Sequence, residues 1–334
     1  MPAATPDVSV LMPCFNGARW IAGAIESVLA QTFVNYELVL VDDGSTDGTV
    51  DIVRRYAAAS ASVVVVEKAH TDVSDTLNIG LRTARGRWVA RLDQDDVSLP
   101  ARLAEQMAYL SAHPEVVFLG SGFIRLDEHG REISAHTFPT THRGLMSNLE
   151  RMKGFCPHST AVFLRDLALE AGGYRFALND ANDYDLWLRL SAYGRLASLP
   201  AALVKCRTHS AQMSQEGGGL PQILAGVAGG TAHFLRKGGH GDPFANAEAS
   251  RERAFLDFVE RGIEQSGLIG RRRVWVDLRA GYFSRRNRVL GAGAFLNGLV
   301  RSGYAAPLLW EKSFGLTLPR DLAEGWVRKT CAAS

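Results

Sequence analysis

The chain has 334 residues, 46% of them hydrophobic and 22% charged, and a formal net charge of +2. These values are typical of a globular protein with a sizeable core, and they argue against a general nucleic-acid-binding role. Four widely spaced cysteines without a Cys-x-x-Cys pair predict reduced thiols in a cytoplasmic protein. We expect no signal peptide and no membrane span, because a strand begins by Val8 and no apolar run approaches the ~18–20 residues required.

Strands and helices alternate through the first hundred residues. Apolar, β-branched runs predict strands, and apolar residues at helical spacing predict the helices between them. This alternation is typical of βαβ units and predicts a Rossmann-like, mostly parallel sheet flanked by helices. Ligands bind at the carboxyl ends of the strands in such sheets. The predicted strands are residues 8–13, 37–41, 63–66 and 86–90.

Further elements follow Pro100, where a helix is predicted. Residues 116–120 and 123–126 predict a hairpin of short strands around a Gly-Ser-Gly turn, and 161–164 and 202–207 predict two more strands. A helix is expected from residue 142 to 154, a polar loop over 179–182, and an amphipathic helix from 183 to 193.

The character of the chain changes after about residue 215, where residues 217–219 are a glycine run that indicates a linker. We therefore predict an α/β domain over 1–214 and a helical, basic region over 215–334. Residues 271–288 hold seven arginines and one acid, Asp277. They are interpreted as a solvated helical surface or as a surface for phospholipid headgroups or an anionic acceptor.

The acidic stretch at residues 91–96 (RLDQDD) follows the fourth predicted strand. Its three carboxylates, Asp93, Asp95 and Asp96, repel one another unless a cation or a specific role explains them. Mg²⁺ usually takes one or two carboxylates together with substrate phosphates, so the stretch indicates a Mg²⁺ or Mn²⁺ site that holds a diphosphate. The alternative is a polar loop with a helix-capping aspartate. Polar clusters at the ends of the first two strands favour the metal.

Several separate motifs now point to one family. They are residues 8–17 (VSVLMPCFNG), 27–32 (SVLAQT), 37–47 (ELVLVDDGSTD), 91–96, 183–190 (DYDLWLRL) and 207–210 (RTHS). In this order and spacing the chain resembles the family 2 inverting glycosyltransferases of the GT-A fold, over roughly residues 8–214. The resemblance is specific for the family but not for a substrate.

The resemblance implies a nucleoside pocket formed by Pro13, Phe15 and Asn16 after the first strand and by Asp43 after the second. An aromatic ring can stack on a base, and a carboxylate can accept the hydrogen of a pyrimidine imide. The alternative for Asp43 is a turn residue that caps the following helix.

The resemblance also implies a metal site. Asp93 and Asp95 match the family's Asp-x-Asp motif, with Asp95 as the direct metal ligand and Asp93 contacting the ribose or a metal-bound water. His209 matches a histidine that completes the metal shell or contacts the diphosphate, and its alternative is a solvated loop histidine. Asp96 is a less direct candidate, which could bind the metal, contact the ribose or a metal-bound water, or simply cap a helix.

Asp183 matches the family's catalytic base, although Asn182 stands where relatives commonly carry a glutamate. Asp185 is the alternative base, but it would face away and belong to a salt bridge or to the solvent face. His158 is expected in a structural or acceptor-side role. Many relatives carry an arginine directly before Asn78, which this chain lacks, so diphosphate contacts from that helix are not predicted.

The implied activity is metal-dependent, inverting transfer of a sugar from a UDP- or dTDP-sugar to a saccharide or lipid-linked acceptor in cell-surface polysaccharide or glycan synthesis. No nucleic acid is expected as a partner. Attachment to the inner face of a membrane and a homo-oligomer are left open. The alternatives are a nucleotidyltransferase, although residues 13–19 lack the expected glycine- and basic-rich phosphate loop, and a non-catalytic carbohydrate- or nucleotide-binding protein of the same fold.

Overall fold

The computed structural model describes residues 5–209, 212, 220–245, 249–267 and 318–331. Strands and helices alternate up to the acidic stretch, as the hydrophobic pattern predicts. The strands are β1 (Val8–Cys14), β2 (Tyr36–Asp42), β3 (Val63–Glu67), β4 (Trp88–Arg91), β5 (Val97–Ser98), β6 (Val116–Leu126), β7 (Glu132–His136), β8 (Val162–Leu164) and β9 (Arg195–Arg207).

The helices of this part lie between those strands. They are α1 (Ile21–Leu29), α2 (Thr49–Ala59), α3 (Val73–Thr83), α4 (Arg102–Ala112), α5 (His142–Glu150), α6 (Arg165–Glu170) and α7 (Asn182–Leu190). Two short 3₁₀ helices, His158–Thr160 and Phe176–Ala181, precede β8 and α7.

All nine of these strands form one sheet, in the order β3-β2-β1-β4-β8-β6-β9-β5, with β7 paired to β6. The first four strands are mutually parallel, as expected. The later strands make the sheet mixed, because β8 is antiparallel to β4 and β6, whereas β6 and β9 are parallel. The order of the parallel strands reverses between β1 and β4, so their carboxyl ends open the crevice where such sheets bind ligands.

The side chains of β1 alternate between two hydrophobic layers, as the period of a strand requires. Val10 and Met12 pack in the layer that contains Ile25 of α1. Leu11 points the other way and packs in the layer that contains Leu77 of α3 and Leu186 of α7. The sheet is therefore covered by helices on both faces, which is the α/β architecture the sequence predicts.

The predicted hairpin around residues 120–122 is wrong. β6 is one continuous strand that pairs with β9 along its length, and the register shifts on both sides of Gly122. A Cβ on Gly122 would lie 2.8 Å from the carbonyl oxygen of His136, so this glycine permits a close backbone approach instead of a turn.

The polar loop predicted over 179–182 is also wrong, because a 3₁₀ helix runs directly into α7. Asn179 organises this segment, since its Oδ1 accepts hydrogen bonds from the backbone N–H and the hydroxyl of Ser74 on α3, at 3.0 and 2.7 Å. These long-range contacts have no signature in the local sequence.

The described residues belong to two compact units, one within residues 1–149 and 154–218 and the other within residues 150–153 and 219–334. Three helices of the second unit are described, α8 (Leu220–Lys237), α9 (Ala249–Ser266) and α10 (Leu318–Cys331). Trp326 of α10 packs edge-on against Phe255 of α9, with ring centroids 5.2 Å apart. The predicted boundary at 214, the glycine run and residues 271–288 lie outside the described residues.

In the part of the chain that the structure describes, no helix combines the length and the apolar character needed to cross a membrane.

Gly86 is a testable requirement of the sheet. A Cβ at this position would lie 2.5 Å from the backbone N of Ser9 and 2.7 Å from the carbonyl carbon of Val8, atoms of β1 that cannot yield without disturbing the sheet. We expect Gly86→Ala to lower the free energy of unfolding by about 1–3 kcal/mol in urea denaturation.

Gly23 of α1 provides the matched control, because a Cβ there meets no atom within 4 Å. Gly23→Ala should leave stability unchanged or raise it by up to about 1 kcal/mol, since alanine favours the helix. Equal stabilities for the two variants would contradict this account of β1 and Gly86.

Candidate active site

The end of β1 and the loop after it lie at the strand-order reversal and hold three predicted nucleotide-binding residues. Pro13 is half-buried at the end of β1, whereas Phe15 and Asn16 are exposed. Asn16 adopts a left-handed conformation, with φ of 46°, and its Oδ1 accepts the backbone N–H of Thr46 at 2.8 Å. The loops after β1 and β2 are thereby joined.

Gln94, the residue between the first two aspartates of the acidic stretch, fastens this loop to β4. Its Oε1 accepts the backbone N–H of Phe15 at 3.0 Å, and its Nε2 donates to the Phe15 carbonyl at 2.8 Å. The carboxyl ends of β1 and β4 are therefore held together by two hydrogen bonds from one side-chain amide, a contact that the local sequence pattern does not indicate.

Asp43 follows β2 and is buried, with 4% exposure. Its Oδ1 accepts hydrogen bonds from Lys68 Nζ and from the backbone N–H of Thr71, the latter at 2.9 Å. Its Oδ2 lies 2.9 Å from Nδ1 of His70. The alternative of a helix-capping Asp43 is wrong, because Asp47 accepts the Thr49 amide at the start of α2, at 3.1 Å.

Phe15 and His70 form the wall beside Asp43. Their rings stack with centroids 4.2 Å apart and planes 16° from parallel. Phe15 remains 40% exposed. An accessible aromatic face next to a buried carboxylate is suited to a planar heterocycle that carries N–H groups.

Asp93 is the first carboxylate of the acidic stretch, and the guanidinium of Arg91 contacts it directly. Arg91 Nη2 donates to its Oδ1, and the Ser159 hydroxyl donates to its Oδ2 at 2.9 Å. Burial alone would raise the pKa of Asp93, but the charge of Arg91 and the other partners hold it below the ordinary value.

Asp95 and His209 meet at the same edge of the sheet, although 114 residues separate them. Asp95 Oδ2 lies 2.7 Å from His209 Nε2. Burial and the charge of Asp93 raise the pKa of Asp95, while His209 opposes that rise. Trp20 stacks on the His209 ring at 4.2 Å, so His209 is an ordered residue and not a solvated loop histidine.

Asp96 is buried, and its Oδ1 accepts the backbone N–H of Arg207 at 2.8 Å. It does not cap a helix, because the N-terminus of α4 has no side-chain cap. Burial and the neighbouring charges of Asp95 and Asp93 raise its pKa well above the ordinary value. Asp96 therefore joins the acidic loop to the end of β9, next to His209.

A divalent cation can be tested against these residues. No group of three or more His, Cys, Asp or Glu side chains within the described ranges could hold a metal ion by itself. Asp95 and His209 supply two ligand atoms 2.7 Å apart, close to the roughly 3 Å between adjacent ligands of an octahedral cation of about 2.1 Å bond length. The pair fits a Mg²⁺ or Mn²⁺ ion whose shell is completed by diphosphate oxygens and water.

Asp183 lies in the first turn of α7, half-buried, and its Oδ1 contacts the N–H of Tyr184 at 2.7 Å. The pKa of Asp183 is raised above the ordinary value, mainly because the carboxyl group is buried. The negative charge of Asp93 also raises this pKa, whereas the Tyr184 N–H and the positive charge of Arg91 lower it. The contact between α7 and the acidic stretch is made by Trp187, whose ring packs edge-on against His158, next to the Ser159 hydroxyl that donates to Asp93.

Asp185 is fully buried and pairs with Arg189 one turn later, with Oδ2 accepting from Nε at 2.8 Å and from Nη2 at 2.7 Å. Of the two predicted environments, the salt bridge is the observed one and the solvent face is wrong. Arg189 also donates to the carbonyls of Ala171 and Gly173, at 2.6 and 2.7 Å, so this pair anchors α7 to the turn after α6.

His158 precedes the Ser159 that binds Asp93, and its Nε2 pairs with the hydroxyl of Tyr174 at 2.8 Å. Burial and the nearby Arg91 charge lower the pKa of His158 well below its ordinary value, which keeps the imidazole neutral. The electrostatic environment of the Tyr174 hydroxyl includes the charges of Asp183 and Asp93.

Sequence reasoning missed Trp20, Lys68, His70, Gln94 and Tyr174. Lys68, His70 and Thr71 follow β3 directly, so their place at a strand end was a usable signal. Trp20 and Tyr174 carried no such signal, because a single aromatic residue in a helical or turn segment usually belongs to the core.

The family model described as "Glycosyl transferase family 2" matches residues 9–172, which contain the motifs of β1, β2 and β4. Putative glycosyltransferase EpsE of Bacillus subtilis is 37% identical over 213 residues, covering 61% of this chain and 74% of EpsE. Amylovoran biosynthesis glycosyltransferase AmsE of Erwinia amylovora is 34% identical over 214 residues, covering 63% and 79%.

Two solved structures share the fold at low sequence identity. S. aureus TarS 1–349 in complex with UDP-GlcNAc is 18% identical, with a TM-score of 0.59 over 97% of this chain and 92% of TarS. The mannosyltransferase PcManGT from Pyrobaculum calidifontis, in complex with GDP-Man and Mn²⁺, is 21% identical, with a TM-score of 0.54 over 96% and 88%. The fold is therefore the GT-A type, as predicted.

EpsE and AmsE are each more than 30% identical to this chain over more than two thirds of their own length. The family model matches the segment that contains Asp43, Asp93 and Asp95. The chain therefore belongs to glycosyl transferase family 2.

Proposed function

We propose that the chain transfers a hexosyl group from a nucleoside diphosphate sugar to a hydroxyl of a saccharide or lipid-linked acceptor, with inversion at the anomeric carbon. The observation that carries this proposal is the packing of α7, whose first turn holds Asp183, against the segment that binds Asp93: the Trp187 ring packs edge-on against His158, and the adjacent Ser159 donates to Asp93. A proton acceptor next to carboxylates suited to a diphosphate-bound cation is the arrangement that direct sugar transfer requires. The name of AmsE, a biosynthetic glycosyltransferase for amylovoran, supports a role in polysaccharide biosynthesis.

The donor is proposed to carry a pyrimidine base, stacked on Phe15 and read by Asp43. A uracil or thymine imide presents one N–H between two carbonyl oxygens, so it needs an acceptor with donors beside it. Asp43 is the acceptor, and the ammonium of Lys68 and the ring of His70 stand next to it. Guanine would need two free acceptor positions on Asp43, whose oxygens already face Lys68, Thr71 and His70.

Asp95 and His209 are proposed to hold a Mg²⁺ or Mn²⁺ ion, with Asp93 directed at the ribose or at a metal-bound water. The PcManGT structure, which contains Mn²⁺, supports this choice of metal. When bound, the cation would supply Lewis-acid stabilisation of the negative charge on the leaving diphosphate.

Asp183 is proposed to act as the general base. Its carboxylate accepts the proton of the acceptor hydroxyl while that oxygen forms a bond to the anomeric carbon and the bond to the diphosphate breaks. One displacement inverts the anomeric configuration, and it requires no covalent enzyme nucleophile. The raised pKa of Asp183 makes it a stronger base than an exposed aspartate.

Asp183→Asn tests the base. We expect turnover to fall by about 10²–10⁴-fold, because the proton loses its acceptor, while donor binding measured by calorimetry is retained. In the wild-type enzyme kcat/KM should decline as the pH falls through the raised pKa of Asp183, since only the ionised carboxylate accepts a proton. Full transfer activity in Asp183→Asn would contradict this assignment.

Asp185→Ala separates the base from its structural neighbour. Removing this fully buried carboxylate breaks the ion pair with Arg189, and we expect a loss of about 3–5 kcal/mol in urea unfolding. Asp183→Asn should not destabilise the protein near neutral pH, because a raised pKa means that the fold disfavours the Asp183 charge there. A large stability loss in Asp183→Asn would assign Asp183 a structural role.

Nucleotide and metal binding can be tested by thermal shift with UDP, dTDP and GDP, each with and without Mn²⁺. A ligand present at 100 times its dissociation constant stabilises the folded state by about 2.7 kcal/mol, which should raise Tm by several degrees for UDP or dTDP with Mn²⁺ and by less for GDP. Asp95→Ala should lose the Mn²⁺-dependent part of that shift.

The matched control is Asp166→Ala, which removes an exposed carboxylate of α6 that pairs with Arg165. It should keep the full shift. A larger shift with GDP than with UDP would overturn the proposed base preference. A nucleotide-dependent shift without transfer to any acceptor would favour the non-catalytic alternative.

A further inference from the structure

The imidazole of His209 has one ring nitrogen at the acidic stretch and one that is buried alone. Its Nε2 lies 2.7 Å from Asp95 Oδ2, whereas its Nδ1 has no hydrogen-bond partner among the described residues. Only 7% of the side chain is exposed. A histidine that binds a metal through one ring nitrogen almost always donates its other N–H to a carboxylate, a carbonyl or water, and this bond fixes the ring. The orientation of His209 therefore depends on a different contact.

Trp20 makes that contact. Its ring stacks on the imidazole of His209, with centroids 4.2 Å apart and planes 26° from parallel. An imidazole that binds a cation gains positive character, and the electron-rich face of an indole attracts such a group. The stack can therefore orient the imidazole and also favour its metal-bound form.

Trp20 is the more firmly held member of the stack, because its backbone belongs to the start of α1. Its N–H donates to the carbonyl of Gly17 at 2.9 Å, and its carbonyl accepts the N–H of Ala24 at 3.2 Å. The turn that carries His209 is closed by longer contacts, since the backbone N–H and the carbonyl of His209 each meet Gln212 at 3.4 Å. The position of the imidazole is thus set from the side of α1.

We propose that Trp20 is a positioning residue for the metal site, whose indole ring holds the imidazole of His209 with Nε2 beside Asp95 in place of a hydrogen bond to Nδ1. This inference rests on the proposed function, in which Asp95 and His209 hold the cation. Trp20 acts through His209 and is not a ligand itself, because an indole N–H can only donate a hydrogen bond.

The test measures Mn²⁺ affinity by EPR in the presence of saturating UDP, and the ¹⁴N coupling of the histidine ligand by pulsed EPR. Trp20→Leu removes the aromatic face and keeps an apolar side chain. We expect Mn²⁺ affinity to fall by about 10-fold, since losing the group that orients a metal ligand typically costs about 10–100-fold. The ¹⁴N coupling should weaken as well. Trp20→Phe retains an aromatic face and should restore both values towards the wild type.

Tyr109→Leu is the matched control. Tyr109 is also half-buried, and its ring stacks on another histidine, His113, with centroids 4.0 Å apart. This variant therefore loses an aromatic–imidazole stack of the same kind at the end of α4. Its Mn²⁺ affinity and its ¹⁴N coupling should match those of the wild type.

A double-mutant cycle separates the orientation of His209 from a general effect on the fold. His209→Ala removes the ligand, so adding Trp20→Leu to it should cause no further loss of Mn²⁺ affinity. Equal affinities for Trp20→Leu and the wild type would overturn the inference. A further loss in the double variant, or an equal loss in Tyr109→Leu, would assign the effect to packing and would also overturn it.

A measurement on the wild type keeps the inference falsifiable if Trp20→Leu does not fold. The ring protons of His209, assigned by their loss in His209→Ala, should be shifted upfield by the indole ring current and should remain so when Mg²⁺ and UDP bind. Loss of this upfield shift on binding would mean that the stack breaks in the loaded site, which contradicts the inference. Failure of the proposed function looks different, since the wild type would then bind no Mn²⁺ with UDP, and this inference would fall with it.

Discussion

Negative charge concentrated at the carboxyl ends of β1, β2 and β4 is the constraint on which the rest of the structure depends. Carboxylates this close repel one another, and burial makes the repulsion stronger. Each of these carboxylates has its own specific partner. Asp43 pairs with Lys68, Asp93 with Arg91, Asp95 with His209, and Asp96 with the backbone N–H of Arg207.

These partners also explain how distant segments become one site. β1 and β4 meet where the strand order reverses, and the Gln94 side chain fastens their loops together. β9 brings His209 to Asp95, and its amide at Arg207 is held by Asp96. On the other side α7 is fixed by the buried Asp185–Arg189 pair, while Asp183, in the same first turn as Asp185, lies in the field of the acidic stretch.

Family membership and fold indicate the type of reaction, but they do not fix which nucleotide sugar is used. The two solved neighbours carry UDP-GlcNAc and GDP-Man, so the same architecture accepts different bases and sugars. The sheet therefore does not select the nucleotide, and under the proposed function this selection falls to the side chains beside Asp43, Lys68 and His70.

Local patterns in the sequence were sufficient for the first four strands and for the helices between them. Hydrophobic period and strand-end position are local properties, so they also identified Asp43, Asp93 and Asp95 as candidates before any coordinates were considered. The same patterns failed at β6, where glycines that indicate a turn permit a bulge in a long strand paired with β9. Pairing between strands that lie far apart in the chain leaves no periodic trace in either one.

The sequence by itself therefore determined the α/β architecture, the family and the residue types available for chemistry. Only the tertiary structure decided which of them meet. It placed His209 on Asp95, Gln94 on Phe15 and the guanidinium of Arg91 on Asp93. The physical reason is that charge coupling depends on distance and burial in three dimensions, and neither can be read from spacing along the chain.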